Sequence, residues 1–215
     1  MHRIAIVNYQ AGNLRSVQKA LEKVGAEAFV TSSPDEILRS DGVVFPGQGA
    51  CDSSMQNLRS RQLDTTIKEA IGNGKPFLGV CLGMQLLLQN SDEGDESCLG
   101  VLNGSVRELP SSVKRPHMGW NQVNILHDDL LFRDIPQDSF FYFVHSFYAE
   151  PIQSEVVSGV TNYGIEFCSA LSFDNVSAVQ FHPEKSGLIG LKIYDNFLKY
   201  FCGKGCLLYT SDAAD

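Results

Sequence analysis

The sequence contains no apolar run near the roughly 18 residues that a membrane-spanning helix requires. Its apolar start, RIAIV (Arg3 to Val7), is followed at once by Asn8 and Gln10. That is too short for a signal-peptide core, so neither export nor a membrane partner is expected. There is no CxxC pair. The six cysteines, Cys51, Cys81, Cys98, Cys168, Cys202 and Cys206, show no metal-like spacing with the five histidines, so no metal or cofactor site is expected. Free thiols imply a reducing compartment, and a cytoplasmic location is the expectation. Basic residues are outnumbered, 17 Lys and Arg against 25 Asp and Glu, for a formal charge of −8. Phosphate binding needs a basic face, so nucleic acid is not the expected partner. Internal repeats, low-complexity linkers and long charge runs are also lacking. What remains is a chain of 215 residues, 43% hydrophobic and 20% charged. That is one domain by length, or at most one with a sizeable insertion, and such a domain buries about 70% of its unfolded surface without staples.

The first half alternates strand and helix patterns. RIAIV reads as a strand, Asn13 as the cap of a helix carrying Leu14, Val17, Leu21 and Val24 at helical spacing, and Gly25 as its stop. AEAFVT is a second strand and SPDEILRS a short helix with Pro34 at its start. GVVFPG (Gly42 to Gly47) is a wholly apolar third strand. A helix through RQLDTTIKEAIGNG leads to the strand PFLGV (Pro76 to Val80) and the helix LGMQLLLQN. Apolar strands separated by helices predict an open, mostly parallel α/β sheet flanked by helices. From Leu99 the pattern changes to short runs with turns between them, among them WNQVNIL, SFFYFVHSFYAEP, IEFCSALSF and VSAVQFHPE. These predict antiparallel strands added at one edge, before GLIGLKIYDNFLKYF closes the fold as a helix.

Within this frame GVCLG, residues 79–83, marks chemistry. A strand that runs straight into a helix must turn sharply, and a glycine on each side of the turning residue removes the clashes. The residue between them is left strained and exposed at the end of the sheet. This is the nucleophile elbow with cysteine in the serine position. The field at the start of the next helix favours a thiolate, and the backbone N–H of Leu82 faces a developing oxyanion. The alternative for Cys81 is a small buried hydrophobe. A thiolate nucleophile needs a base, and the base needs an orienting acceptor. His182 in VQFHPEKSG stands at a strand end with Glu184 two residues on; His117 and His145 remain its competitors. In PGQGA, the glycines Gly47 and Gly49 leave backbone N–H groups free to face an anion, although Pro-Gly-x-Gly is also a common tight turn.

Together these pieces resemble the class I, triad-type glutamine amidotransferases, with Cys81, His182 and Glu184 in the family's order. The segments YQAGNLRSV, PGQGA, GKPFLGVCLGMQLL, PHMGWNQV, YFVHSFY and VQFHPEKSG resemble, more closely, the glutaminase subunits of imidazole glycerol phosphate synthases. The resemblance implies L-glutamine as substrate, Cys81 as nucleophile, His182 as proton shuttle and Glu184 as its orienting group. It also implies Gly49 and Leu82 as oxyanion donors, and Gln85, His145, Ser146 and Phe147 as lining the glutamine site. Gln85 as an ordinary helix residue and HSF as a plain strand turn are the alternatives. The ammonia would pass to a (β/α)8-barrel cyclase subunit in a heterodimer. That partner forms imidazole glycerol phosphate and aminoimidazole carboxamide ribotide in histidine biosynthesis. Asn13, Trp120, Tyr142 and Lys185 match positions at that subunit interface, and Trp120 is placed in a surface Gly-Trp-Asn turn. One departure is Gln48, where many relatives carry valine in the oxyanion loop.

Other glutaminases, and a cysteine-elbow stress protein that needs no HPE element, are the rival readings. PHMGWNQ opposes the first, activity after His182→Ala separates the second, and a pure binding module leaves the Cys, His and Glu set unexplained. Residues 1–205 are expected to form the amidotransferase domain. Residues 206–215, CLLYTSDAAD, match the translation of a sequencing-library adapter. They are expected to be a non-native tail, the alternative being an ordinary disordered one.

Overall fold

The computed structural model describes residues 1–10 and 12–203, so the expected tail at 206–215 lies outside the described residues. Five strands, β1 (Arg3–Val7), β2 (Glu27–Thr31), β3 (Gly42–Gly47), β4 (Phe77–Cys81) and β12 (Val176–Val179), pair in parallel in the order β2-β1-β3-β4-β12. The sheet continues through β11 (Glu166–Phe173), β10 (Val157–Asn162), β7 (His117–Ile125) and β8 (Ser139–His145), all antiparallel to their neighbours. A flap of β5 (Asn90–Ser91), β6 (Gly104–Glu108) and β9 (Phe147–Pro151) joins it at β11.

Side chains alternate across a strand, so a sheet with two buried faces needs apolar residues at every position. Ala5, Val7, Val43, Phe45 and Phe77 pack on one face with Ile37 of α2 (Pro34–Arg39), Met55 and Leu58 of α3 (Cys51–Ser60), and Leu63 and Ile67 of α4 (Leu63–Gly72). Ile4, Ile6, Val44, Leu78 and Val80 pack on the other, with Val17 and Leu21 of α1 (Leu14–Lys23) and Ile193 and Tyr194 of α6 (Gly187–Asn196).

Four local expectations are corrected. VSAVQF, expected among the added antiparallel strands, supplies β12, which pairs in parallel with β4. Asp174, at φ 46°, and Asn175 form a two-residue hairpin after β11. The Asn175 amide donates to the carbonyls of Ile71 and Lys75, which anchors the start of β12 beside β4. Helix α3 was missed because its buried face is only Cys51, Ser54, Met55 and Leu58, too polar to show a helical stripe. The helix expected over LGMQLLLQN stops after one turn, α5 (Leu82–Gln85). The carbonyls of Leu86, Leu87 and Leu88 accept from Leu99, Val101, Leu102 and Gly100 instead of from a following turn. Asn13 sits before α1 at φ 64° and makes no capping bond with its side chain.

Candidate active site

Three neighbouring parallel strands end side by side. Gly47 of β3 pairs with Cys81 of β4, and Val179 of β12 pairs with Val80. The Pro-Gly-Gln-Gly loop, the elbow and the segment Gln180 to His182 therefore leave the sheet at one place, the carboxyl end where open α/β sheets bind ligands.

Cys81 has φ 56° and ψ −114°, a conformation that costs a side-chain-bearing residue about 1–3 kcal/mol. The turn is held by close backbone packing. A Cβ at Gly83 would collide with the carbonyl oxygen of Phe45, and one at Gly47 would lie 2.7 Å from Leu82 Cβ and 2.9 Å from the Gly83 nitrogen. Only glycine permits that approach. The Cys81 thiol donates weakly to the Val144 carbonyl at 4.0 Å, and the Gln180 amide donates to its sulfur at 3.6 Å. Because α5 is a single turn, the field at the elbow comes from the N–H groups of that turn rather than from a long helix.

His182 Nδ1 lies 2.9 Å from Glu184 Oε1, and both side chains are buried. Asn13 Nδ2 donates to the same oxygen at 3.3 Å, and the Tyr194 hydroxyl donates to Oε2 at 3.4 Å. The Pro183–Lys185 turn is pinned to β8: His182 N–H donates to the Tyr142 carbonyl, and the Ser186 hydroxyl bridges the His182 carbonyl and Tyr142 N–H. His182 Nε2 is buried with no partner among the described residues. Burial alone would lower the imidazole, but the charge of a Cys81 thiolate, together with Glu184, outweighs it and raises His182 to about 10.

Cys81 and His182 border a cavity of about 390 Å³, within the range of small-molecule sites. Gly49, Leu82, Gln85, His145, Ser146 and Phe147 also line it, so the expected oxyanion and glutamine-site residues share one cavity with Cys81 and His182. Gly49 has φ 103°, a conformation open to glycine. Gln48 lines the cavity too, and its side-chain oxygen occupies the space above Gly12. His145 and His117, the competitors for the base, are paired with each other across β8 and β7, Nε2 to Nδ1 at 3.0 Å. Burial pushes His117 down to about 4 and His145 to about 3, so both are neutral and act as hydrogen-bonding groups. Cys51, Cys98, Cys168 and Cys202 are free and none lines the cavity.

The hairpin β7–β8 turns its other face outward. Met118, Trp120 and Phe140 are 63%, 55% and 53% exposed. Trp120 lies on the strand itself, not in a turn, and its exposure follows from the alternation that buries Phe141 and Phe143. Its ring meets Tyr142 edge-on at 6.1 Å, and Lys185 Nζ sits 5.7 Å from the Tyr142 ring. Of the four expected interface residues only Lys185 borders the cavity; Tyr142 adjoins Lys185, Trp120 adjoins Tyr142, and Asn13 bonds Glu184, the residue before Lys185.

Two further residues escaped the sequence reading. Glu93 lines the cavity and accepts from the Cys51 N–H at 2.8 Å, and burial pushes its carboxyl up. In sequence it belongs to the polar run SDEGDES and resembles any solvated loop. Gln180 contacts the Cys81 sulfur; its one signal is a position two residues before His182, on the same side of an extended chain.

A family model for class-I glutamine amidotransferases matches residues 5–200. The chain is 46% identical over 201 residues to an imidazole glycerol phosphate synthase subunit HisH of Dehalococcoides mccartyi, covering 93% of this chain and 98% of the relative. It is 49% identical over 200 residues to the subunit HisH 1 of Methanococcus maripaludis, covering 91% and 98%. Among solved structures, the CTPS glutaminase domain of Trypanosoma brucei superposes with a TM-score of 0.69 at 19% identity, covering 96% of each chain, a likeness of fold. The chain belongs to the class-I glutamine amidotransferases and, within them, to the HisH subunits of imidazole glycerol phosphate synthase.

Proposed function

We propose that the chain hydrolyses L-glutamine at Cys81 and hands the ammonia to a cyclase subunit docked over the cavity mouth. Its family makes it the glutaminase subunit of an imidazole glycerol phosphate synthase, at work in histidine biosynthesis. The observation that carries the site is the convergence of the Gly49 loop, Cys81 and His182 from three adjacent parallel strands onto one cavity.

The Cys81 thiolate attacks the side-chain amide carbon of glutamine. Charge moves to the amide oxygen, which the N–H groups of Gly49 and Leu82 stabilise. His182 gives the proton from Nε2 to the leaving nitrogen, and ammonia departs from a glutamyl thioester. Water then attacks the thioester while His182 accepts its proton, and glutamate and thiolate are restored. Glu184 holds Nδ1 throughout, so that Nε2 is the nitrogen that exchanges protons. Both Nε2 hydrogens of Gln85 are occupied by protein acceptors, which leaves its Oε1 for the substrate ammonium. Ser146 and Phe147 border the same cavity.

The partner is a (β/α)8-barrel cyclase in a heterodimer. The exposed Trp120 and Phe140, with Tyr142, Lys185 and Asn13 beside them, support a docking face that closes the cavity against water. Glutamate release measured for the chain alone, then with the cyclase and its nucleotide substrate, tests both parts. The expected result is slow release alone and fast release in the complex, abolished by Cys81→Ala. Fast release that ignores the cyclase would overturn the partner assignment. No release in the complex, from folded protein, would overturn the glutaminase assignment.

A further inference from the structure

The carbonyl oxygen of Phe147 can only accept hydrogen bonds, and it determines the orientation of every amide behind the cavity. Gln85 stands 2.7 Å from it, so the Gln85 NH2 group must face it. That NH2 group also lies 2.9 Å from the Gln180 side chain, which must therefore present its oxygen to Gln85. With its oxygen so committed, Gln180 has only its NH2 group left to face the Cys81 sulfur at 3.6 Å. Gln180 is completely buried, does not border the cavity, and is held further by its backbone N–H to the Ser169 carbonyl.

We propose that Gln180 is a further catalytic residue, the fixed hydrogen-bond donor to the Cys81 sulfur, and that Gln85 enforces its donor face. This rests on Cys81 being the glutaminase nucleophile. A donor of this kind stabilises negative charge on sulfur and holds the sulfur in one rotamer. It lies on the protein side of the nucleophile, so it does not compete with substrate. Gln85 joins the two roles, because a substrate ammonium on Gln85 Oε1 polarises the amide whose hydrogens hold Gln180. Glutamine docking is thereby felt at the sulfur before any bond forms. The titratable groups raised by a charge on this sulfur are His182 and Tyr9, with Glu184 bonded to His182.

The test is the rate at which iodoacetamide alkylates Cys81 in the full chain, resolved from the other cysteines by peptide mass spectrometry, across pH and with glutamine as protectant. Gln180→Leu removes the donor, and the rate at neutral pH is expected to fall about tenfold, the worth of a hydrogen bond to a charged group. Gln180→Glu keeps the shape and the acceptor for Gln85 but replaces the NH2 group facing the sulfur, and its deficit should widen as pH rises and its carboxyl ionises. Gln180→Met keeps the length and bulk without the donor: a purely packing role predicts that it alkylates at the wild-type rate, a donor role that it slows as Gln180→Leu does. If Gln180→Leu does not fold, as judged by its melting curve, Gln180→Met decides alone. Wild-type alkylation rates in folded variants would overturn the role of Gln180. A wild-type Cys81 that reacts no faster than Cys168 and gains no protection from glutamine would overturn the nucleophile assignment, and this proposal with it.

Discussion

The side-chain amide of Asn13 donates to Glu184 Oε1, the same oxygen that holds His182 Nδ1. The loop before α1 thus reaches across the sheet to the carboxylate that orients the imidazole. Asn13→Gly removes this donor while suiting the positive φ of the position, and glutamate release in the complex is expected to fall about tenfold. Asn13→Asp sets a second carboxylate against Glu184 and should cost more than the glycine variant. Equal losses in the two variants would remove the electrostatic explanation.

At Gly83 a methyl group meets the Phe45 carbonyl oxygen, and neither backbone can withdraw. Gly83→Ala is expected to destabilise by about 3 kcal/mol, the upper end for overpacking, which lowers the melting temperature by roughly 6–12 °C. Gly72, the last residue of α4, has nothing within 4 Å of its Cβ position, so Gly72→Ala should melt at or slightly above wild type. Thermal melts of the pair separate steric demand from helix propensity.

His117 and His145 are held neutral by burial, at about 4 and about 3. Their folded values lie below the unfolded value of about 6.5, so the unfolded state binds more protons as pH falls. Their contribution to stability is complete above about 6.5 and is lost as pH drops through 4 toward 3. Denaturant melts from pH 7 to pH 4 should show a falling midpoint, and His117→Phe should flatten that slope while lowering stability at pH 7.

His182 has the opposite sign. Its folded value of about 10 lies above the unfolded one, so its contribution is complete below about 6.5 and is lost as pH rises toward 10. Because a charged Cys81 is the largest of the effects raising it, Cys81→Ala should bring the imidazole midpoint well below 10. A histidine NMR titration of the two proteins reads this directly, and an unchanged midpoint would dissociate the two side chains.

Trp120 is 55% exposed in the isolated chain, and its ring meets Tyr142 edge-on. Trp120→Ala should leave the melting temperature of the free chain unchanged. Cyclase affinity by calorimetry should weaken by about 2 kcal/mol, as for an aromatic anchor at the centre of an interface. Unchanged affinity would move the docking surface elsewhere.

Several features are legible in the sequence. The fully apolar strands, the glycines around Cys81 and the His182-x-Glu184 pair are short-range patterns, and each is enforced by neighbours in the chain. The shortened α5 and the parallel β12 were not, because the partners that end the one and align the other are Leu99 to Leu102 and the end of α4. Asn13 read as a helix cap because its type and place fit one; its φ of 64° and the carboxylate opposite it gave it another use.

The His182-x-Glu184 pair, the alternation of the strands and the strained elbow at Cys81 were thus determined by sequence alone, since each depends on residues a few positions apart. Which strand ends meet depends on how two apolar faces are covered at once, and that is a property of the whole packed chain. Gln85 bonds Gln180 across 95 residues, and Gln180 reaches the sulfur of Cys81 across 99. No local periodicity encodes either bond. Burial leaves those amides no water to turn to, so only the tertiary structure decided which group each would face.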